Sequence, residues 1–231
     1  RAISGSVDVP LGERFVAHLD GAWRKSDDLR VGGFVYSPQL RADMLAFAGQ
    51  LRTDGEIAEA AGIEEQAAGS GRVPNSATRT KTAGAGLAFI DAGGSLGLSY
   101  QRYDTTYGVP GRPSTDADQE SEEEVSIDLV QDRVDLRGEL VLGGLVDRLQ
   151  LRGAYADYRH AENEGEDVGT IFSGEGLEGR VDLVQANRGG WRGRSGVQYL
   201  WRSLTVTGAE AIVPDYRIDR AGIFTLQSLE L

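Results

Sequence analysis

The sequence predicts an all-β fold: part of an antiparallel transmembrane β-barrel, about nine strands of a larger one, with long extracellular loops and short periplasmic turns. Three observations predict it. Apolar and polar residues alternate with period two in one segment after another. The connections between those segments are alternately short and long. Outer-membrane barrels keep that order, and a soluble meander has no reason to. Glycine is frequent, 32 of 231 residues, and is dispersed without a collagen-like period, as in proteins built of strands and turns.

The clearest strand is residues 191–202. Trp191, Gly193, Ser195, Val197, Tyr199 and Trp201 share one face, and Arg192, Arg194, Gly196, Gln198, Leu200 and Arg202 share the other. The two tryptophans are ten residues apart, roughly 33 Å along a strand. At a tilt of about 40° this projects to roughly 25 Å, the height of a barrel's apolar band, so each tryptophan falls in an interfacial girdle. Residues 14–24 repeat the pattern, with Phe15, Ala17, Leu19, Gly21 and Trp23 on one face and His18, Asp20 and Arg24 opposite, beside Val16 and Ala22. Residues 130–141 place Val130, Val134, Leu136, Gly138 and Leu140 together, with Asp132 as an intruder. Gln131, Arg133, Asp135, Arg137 and Glu139 fill their other face.

Weaker strands are expected at residues 78–90, 95–103, 148–158 and 171–183, and two of unassigned facing at residues 2–9 and 219–231. Short turns fall at residues 11–13, 91–94, 142–145 and 186–190. Long connections fall at residues 27–77, 104–124, 161–170 and 203–218. Within the first of these, residues 41–50 and 54–68 are rich in Ala, Leu and Glu and predict short helices.

Composition excludes several function classes. The net charge of −12 argues against nucleic acid as a partner, because phosphate binding needs a basic surface. With no cysteine, disulfides, thiolate metal sites and cysteine nucleophiles are ruled out. No run of about 18 apolar residues is present, so no transmembrane helix is expected; alternating barrel strands escape that test. GxSxG, HExxH and P-loop motifs are absent, and Gly93-Gly94-Ser95-Leu96-Gly97 reads as a hairpin turn with no helix after it to hold phosphate. No enzyme activity and no resident cofactor are expected.

Candidate binding chemistry lies in two acidic runs. One comprises Asp116, Asp118, Glu120, Glu122, Glu123 and Glu124, the other Glu162, Glu164, Glu166 and Asp167. Both fall in expected extracellular loops, where carboxylates attract hard divalent cations; the plainer reading is a solvated loop. His160 adjoins the second run and completes a candidate metal set of His160, Glu162, Glu164, Asp116, Asp118 and Glu120. A zinc site takes three or four ligands at defined geometry, and no HxH or HxxxH spacing is present. His18, the other histidine, reads as lumen-facing and structural. The basic row Arg192, Arg194 and Arg202 faces the same lumen; it is expected to pair with acids of a plug or of neighbouring strands, such as Asp135 and Glu139, since unpaired buried charge is costly, the alternative being guidance of an anionic substrate.

Several phrases, in order, resemble the barrel region of TonB-dependent outer-membrane receptors: Arg72-Val-Pro-Asn-Ser76, Tyr107-Gly-Val-Pro-Gly111, Asp132-Arg-Val-Asp-Leu-Arg-Gly-Glu139, Val168-Gly-Thr-Ile-Phe-Ser173, and Gly190-Trp-Arg-Gly193 with Gly196-Val-Gln-Tyr199. The nearest branch is the one that includes outer-membrane zinc receptors. The resemblance covers nearly the whole chain. It implies a twenty-two-stranded pore in the outer membrane of a Gram-negative bacterium, surrounded by outer-membrane lipid and plugged by an N-terminal domain. It also implies uptake of a scarce nutrient, such as zinc, another metal or a metal complex, energised by the TonB–ExbB–ExbD complex. Residues 1–231 read as part of that barrel domain, with the plug absent. Nine strands cannot close a barrel of that diameter. The rivals are a small self-contained barrel acting as a channel or adhesin, and a soluble β-sheet binding module.

Overall fold

The computed structural model describes residues 1–116, 124–165, 167–208 and 211–230. Nine strands form one antiparallel sheet: β1 (Ala2–Leu11), β2 (Phe15–Ser26), β5 (Thr78–Asp91), β6 (Gly94–Val109), β7 (Val125–Val141), β8 (Val146–Glu164), β9 (Asp167–Gln185), β10 (Trp191–Gly208) and β11 (Tyr216–Leu229). Each pairs with its neighbour in chain order, and β1 and β11 are the edges. These are the nine strands expected from the alternation, so the all-β antiparallel class is observed.

The turns at one end are short: residues 12–14, 92–93, 142–145 and 186–190. Backbone geometry explains the tightest of them. The Asp91 carboxylate accepts a hydrogen bond from the Gly93 N–H at 2.8 Å. Gly94, at φ +148°, brings its α-carbon so near Glu139 that a Cβ there would lie 2.0 Å from the Glu139 carbonyl oxygen. Only glycine fits both the dihedral and the approach.

At the other end the strands run farther than their alternation showed. β7, β8, β9 and β10 have 17, 19, 19 and 18 residues, roughly twice the 9–11 that cross a bilayer. The expected long connection at residues 161–170 is instead a hairpin, with β8 ending at Glu164 and β9 beginning at Asp167. Glu162, Glu164 and Asp167 lie in the paired strands, with a register irregularity between Glu162 and Asn163.

The long connection from β2 to β5 is a small folded unit. β3 (Arg30–Phe34) pairs with β4 (Ser70–Arg72), and between them lie α1 (Pro38–Asp54) and α2 (Ile57–Ala68). Ser37 caps α1 by accepting from the Leu40 N–H at 3.2 Å, Pro38 occupies the first turn, and Gly55 ends the helix at φ +96°. Met44, Phe47, Ala48 and Leu51 of α1 pack on Ala60, Ile63 and Ala67 of α2. Both helices are longer or shifted relative to the sequence expectation, and the β3–β4 pair was not foreseen.

A bidentate pair joins the two helices, Arg52 donating to Glu64 at 2.9 and 2.7 Å. Those hydrogen bonds, aided by the guanidinium charge against a desolvation effect, hold the Glu64 carboxyl below the usual carboxylate range. A carboxyl depressed on folding stabilises the fold above its unfolded pKa, about 4.3 for Glu, and loses that contribution as pH falls through the lower folded value. Helix-hairpin amides are therefore expected to exchange faster below about pH 4. In Glu64→Gln this acid-dependent increment should be absent; an unchanged pH profile would show that the pair is not coupled to folding.

Candidate functional site

The registers sort the side chains of the nine strands onto two faces with opposite chemistry. One face carries Val7 and Val9 of β1, Ala17 and Leu19 of β2, Ala85 and Leu87 of β5, Leu96 and Leu98 of β6, and Leu136 and Leu140 of β7. It continues through Leu149 and Leu151, Val181 and Leu183, Val197 and Ile223. These residues are apolar, and many of the large ones are open: Leu19 is 54% exposed, Leu98 53% and Leu140 50%. Among the described residues, no second layer covers them. Phe15 and Phe89 meet at 5.2 Å on the turn edge of this face.

The other edge of the apolar face is marked by a repeated motif. Tyr100 of β6 donates its hydroxyl to Asp132 of β7. Tyr155 of β8 donates to Glu175 of β9 at 3.0 Å, and Tyr199 of β10 to Asp219 of β11 at 2.8 Å. In each case the carboxylate lies two residues past the tyrosine's register partner, toward the long-connection end. Arginines close two of the three: Arg102 on Asp132 at 2.8 Å and Arg217 on Asp219 at 2.9 Å. Asp132, the intruder of the sequence pattern, thus belongs to a row of tyrosine–carboxylate pairs. Tyrosine suits a boundary, with an apolar ring and a polar tip. Beyond the row the same face turns polar, as at Asp128, which accepts from Thr106 at 2.6 Å and from Asn163 at 3.2 Å. The two tryptophans of β10 both lie on this face, and the Arg217 guanidinium sits 5.6 Å from the Trp201 ring. The sequence signals the tyrosines but not their partners, because pairing two residues off register requires the register.

The opposite face is mostly polar from β7 to β10, while β11 places Ile218, Phe224 and Leu226 on it. His18 lies between two carboxylates, its Nδ1 2.7 Å from Asp8 and its Nε2 3.2 Å from Asp20. Arg133 forks onto Asp135, both contacts 2.7 Å, and Arg180 forks onto the buried Asp182, both 2.9 Å. Glu139 accepts from Gln150 at 2.8 Å and lies 3.6 Å from Arg148. The expected partners of the β10 arginines are therefore corrected: Asp135 and Glu139 are held by Arg133 and Arg148, which are nearer in register. Arg192 instead meets Glu230 at 2.6 Å.

The candidate metal residues are only partly brought together. His160 is in strand β8, not in a loop, with Nδ1 3.0 Å from the Tyr158 hydroxyl and its ring 5.3 Å from Phe172. Its Nε2 lies 3.7 Å from Glu162 and makes no hydrogen bond. Glu164 stands at the end of the same strand, with its carboxylate over Gly169. Asp116 has its carbonyl engaged by Ser114 at 3.0 Å. Asp118, Glu120, Glu122, Glu123 and Glu166 lie outside the described residues. Among the described residues, no three His, Asp or Glu side chains are grouped so as to hold a metal ion.

No protein-family model matches the sequence, and no curated protein matches it. Among solved structures the chain is similar to the ferric yersiniabactin uptake receptor FyuA from Yersinia pestis, at 12% identity and a TM-score of 0.42. The match covers 98% of this chain and 34% of that receptor, so the chain spans about a third of the receptor's length.

Proposed function

We propose that this chain is a section of the wall of an outer-membrane β-barrel, and that the barrel is a TonB-dependent receptor taking up a scarce nutrient. One observation carries the membrane part: a sheet whose exposed face is apolar from strand to strand and ends at a row of hydrogen-bonded tyrosines. A soluble sheet of this kind would need a covering layer, and lipid supplies one. Short turns at one end, and at the other connections that are longer except for the β8–β9 hairpin, orient the wall, with the helical hairpin on the extracellular side.

The transport part draws on the phrases that resemble TonB-dependent receptors. Extracellular segments would capture the substrate, and the TonB–ExbB–ExbD complex would release it by pulling on a plug. The substrate would be a metal ion or metal complex. Zinc is the narrower option, and for it the His160–Glu162 pair supplies two donors where a tight site takes three or four. No residue constellation favours catalysis.

Directed to the outer membrane, the chain is expected in the outer-membrane fraction and to need detergent for extraction. Recovery as a monodisperse protein in detergent-free buffer would sink the membrane reading and favour the soluble module. For transport, cells carrying the intact receptor should accumulate labelled zinc or ferric chelate only while TonB is present. Equal accumulation without TonB would leave a passive channel instead.

A further inference from the structure

The chain has two lysines, Lys25 and Lys81, and the fold brings both to one place. Lys25 of β2 is the direct register partner of Arg79 of β5, and Lys81 is the partner of Trp23. Side chains two apart on a strand share a face, so Trp23, Lys25, Arg79 and Lys81 all start from the face that carries Leu19 and Leu87. The three cations are exposed. Directly opposed Cβ atoms stand about 4.5–5.5 Å apart, where like charges repel. Strands of this chain flank the cluster on both sides, β1 beside β2 and β6 beside β5. Among the register neighbours on this face are Ile3 of β1, Thr106 as partner of Arg79, and Asp104 as partner of Lys81. One carboxylate thus stands beside three cations, in a chain where 36 acidic residues outnumber 24 basic ones.

The height of the cluster on the wall gives it a meaning. Toward the turns, the same two strands carry Ala17, Leu19, Ala85 and Leu87, and end at Phe15 and Phe89. Lys25 is ten residues from Phe15, roughly 33 Å along a strand. At a tilt of about 40° this is roughly 25 Å, the height of an apolar band. Lys25 and Arg79 therefore stand at the outer edge of the band, and Trp23 and Lys81 just inside it. A tryptophan suits that level, as its ring is apolar and its N–H polar. The stem of Lys81 can lie along the apolar surface while its ammonium reaches the headgroups.

We infer that Lys25, Arg79 and Lys81 form a binding site for the phosphate of an anionic lipid in the outer leaflet. The guanidinium takes two phosphate oxygens at once and the ammonium groups act as point charges. A bound phosphate relieves the repulsion between Lys25 and Arg79. The apolar side chains directly below receive the acyl chains, which favours a lipid over a soluble anion. The site lies at the base of the connection that carries the helical hairpin, and the lipid would hold that base against the membrane. The inference rests on the reading of this face as the lipid-facing one.

The test uses the full chain with Trp191→Phe/Trp201→Phe, which leaves Trp23 as its single tryptophan. It is placed in phosphatidylcholine vesicles containing brominated phosphatidylglycerol or, separately, the same mole fraction of brominated phosphatidylcholine. Bromine quenches the tryptophan it touches. Quenching of Trp23 should show a preference for phosphatidylglycerol of at least about fivefold, the factor contributed by one basic residue near an anionic membrane surface. In Lys25→Gln/Arg79→Gln/Lys81→Gln the two lipids should quench equally, and undiminished quenching by brominated phosphatidylcholine shows that this variant still sits in lipid. Arg102→Gln, which removes a cation of the same face that is paired with Asp132, should keep the preference. Equal quenching by both lipids in the parent chain, or a preference that survives the triple substitution, would overturn the lipid site and leave the membrane reading intact. Absence of quenching by either lipid would contradict the membrane reading and the site with it.

Discussion

Leu98→Arg is expected to destabilise the bilayer-embedded protein by about 2–4 kcal/mol, the cost of a guanidinium on the lipid face near mid-depth. Leu98 lies on β6 between Leu96 at the turn edge and Tyr100 at the boundary row, and its register partners are Leu87 and Leu136. Its side chain has apolar neighbours on both sides and is 53% exposed. The adjacent residue, Ser99, points to the polar face beside Gly86 and Asp135. Ser99→Arg should therefore cost under about 1 kcal/mol, the range for exposed charge changes. Denaturant titration in lipid vesicles measures both. Equal costs at the two positions would mean that the faces are not differently solvated.

Phe47→Ala should unfold the helical hairpin while leaving the sheet intact. Truncating a buried phenylalanine costs about 3–5 kcal/mol. The hairpin core comprises seven buried side chains, with Tyr36 and Leu40 packed against it, so little stability remains once the ring is lost. The helices pack on each other and not on the large sheet, so the damage has no route into the strands. Amide exchange is expected to rise throughout α1 and α2 and to stay unchanged in β5 to β10. Leu45→Ala, at a helix position 48% exposed, should leave the hairpin protected. Protection that survives Phe47→Ala would show that the core is not what holds the helices, and exchange spreading into the sheet would show that the two units fold together.

Seven of the nine strands were legible with a facing because one of their faces is apolar over a central stretch, which leaves a period-two signal. The signal ends where the band ends. Beyond Tyr100 the outward positions of β6 are Arg102, Asp104 and Thr106, and beyond Tyr155 those of β8 are Asp157 and Arg159. With polar residues on both faces, hydrogen bonding continues while the alternation vanishes. The sequence therefore placed Glu162 and Glu164 in a loop when they lie in a strand.

The cluster of cations at the edge of the band was hidden for a different reason. Lys25 is far in sequence from Arg79 and Lys81, and only the β2–β5 register aligns them. The same holds for the three tyrosine–carboxylate pairs. By contrast, pairs two residues apart on one strand, such as Arg133–Asp135 and Arg180–Asp182, are local, and their spacing was present in the sequence without being read as pairing. The candidate metal set gained the His160–Glu162 contact from the strand geometry, since residues two apart share a face.

In the bilayer the apolar face is expected to meet lipid and the polar face water. The chain has no cysteine, so single cysteines can be introduced along β10 without background and spin-labelled in vesicles. Labels at 193, 195, 197 and 199 should be relaxed by oxygen, which concentrates in the bilayer. Labels at 194, 196, 198 and 200 should be relaxed by a water-soluble nickel complex. A clean alternation between the two, residue by residue, is the predicted result. Odd-numbered positions that respond to the nickel complex as strongly as the even ones would contradict it.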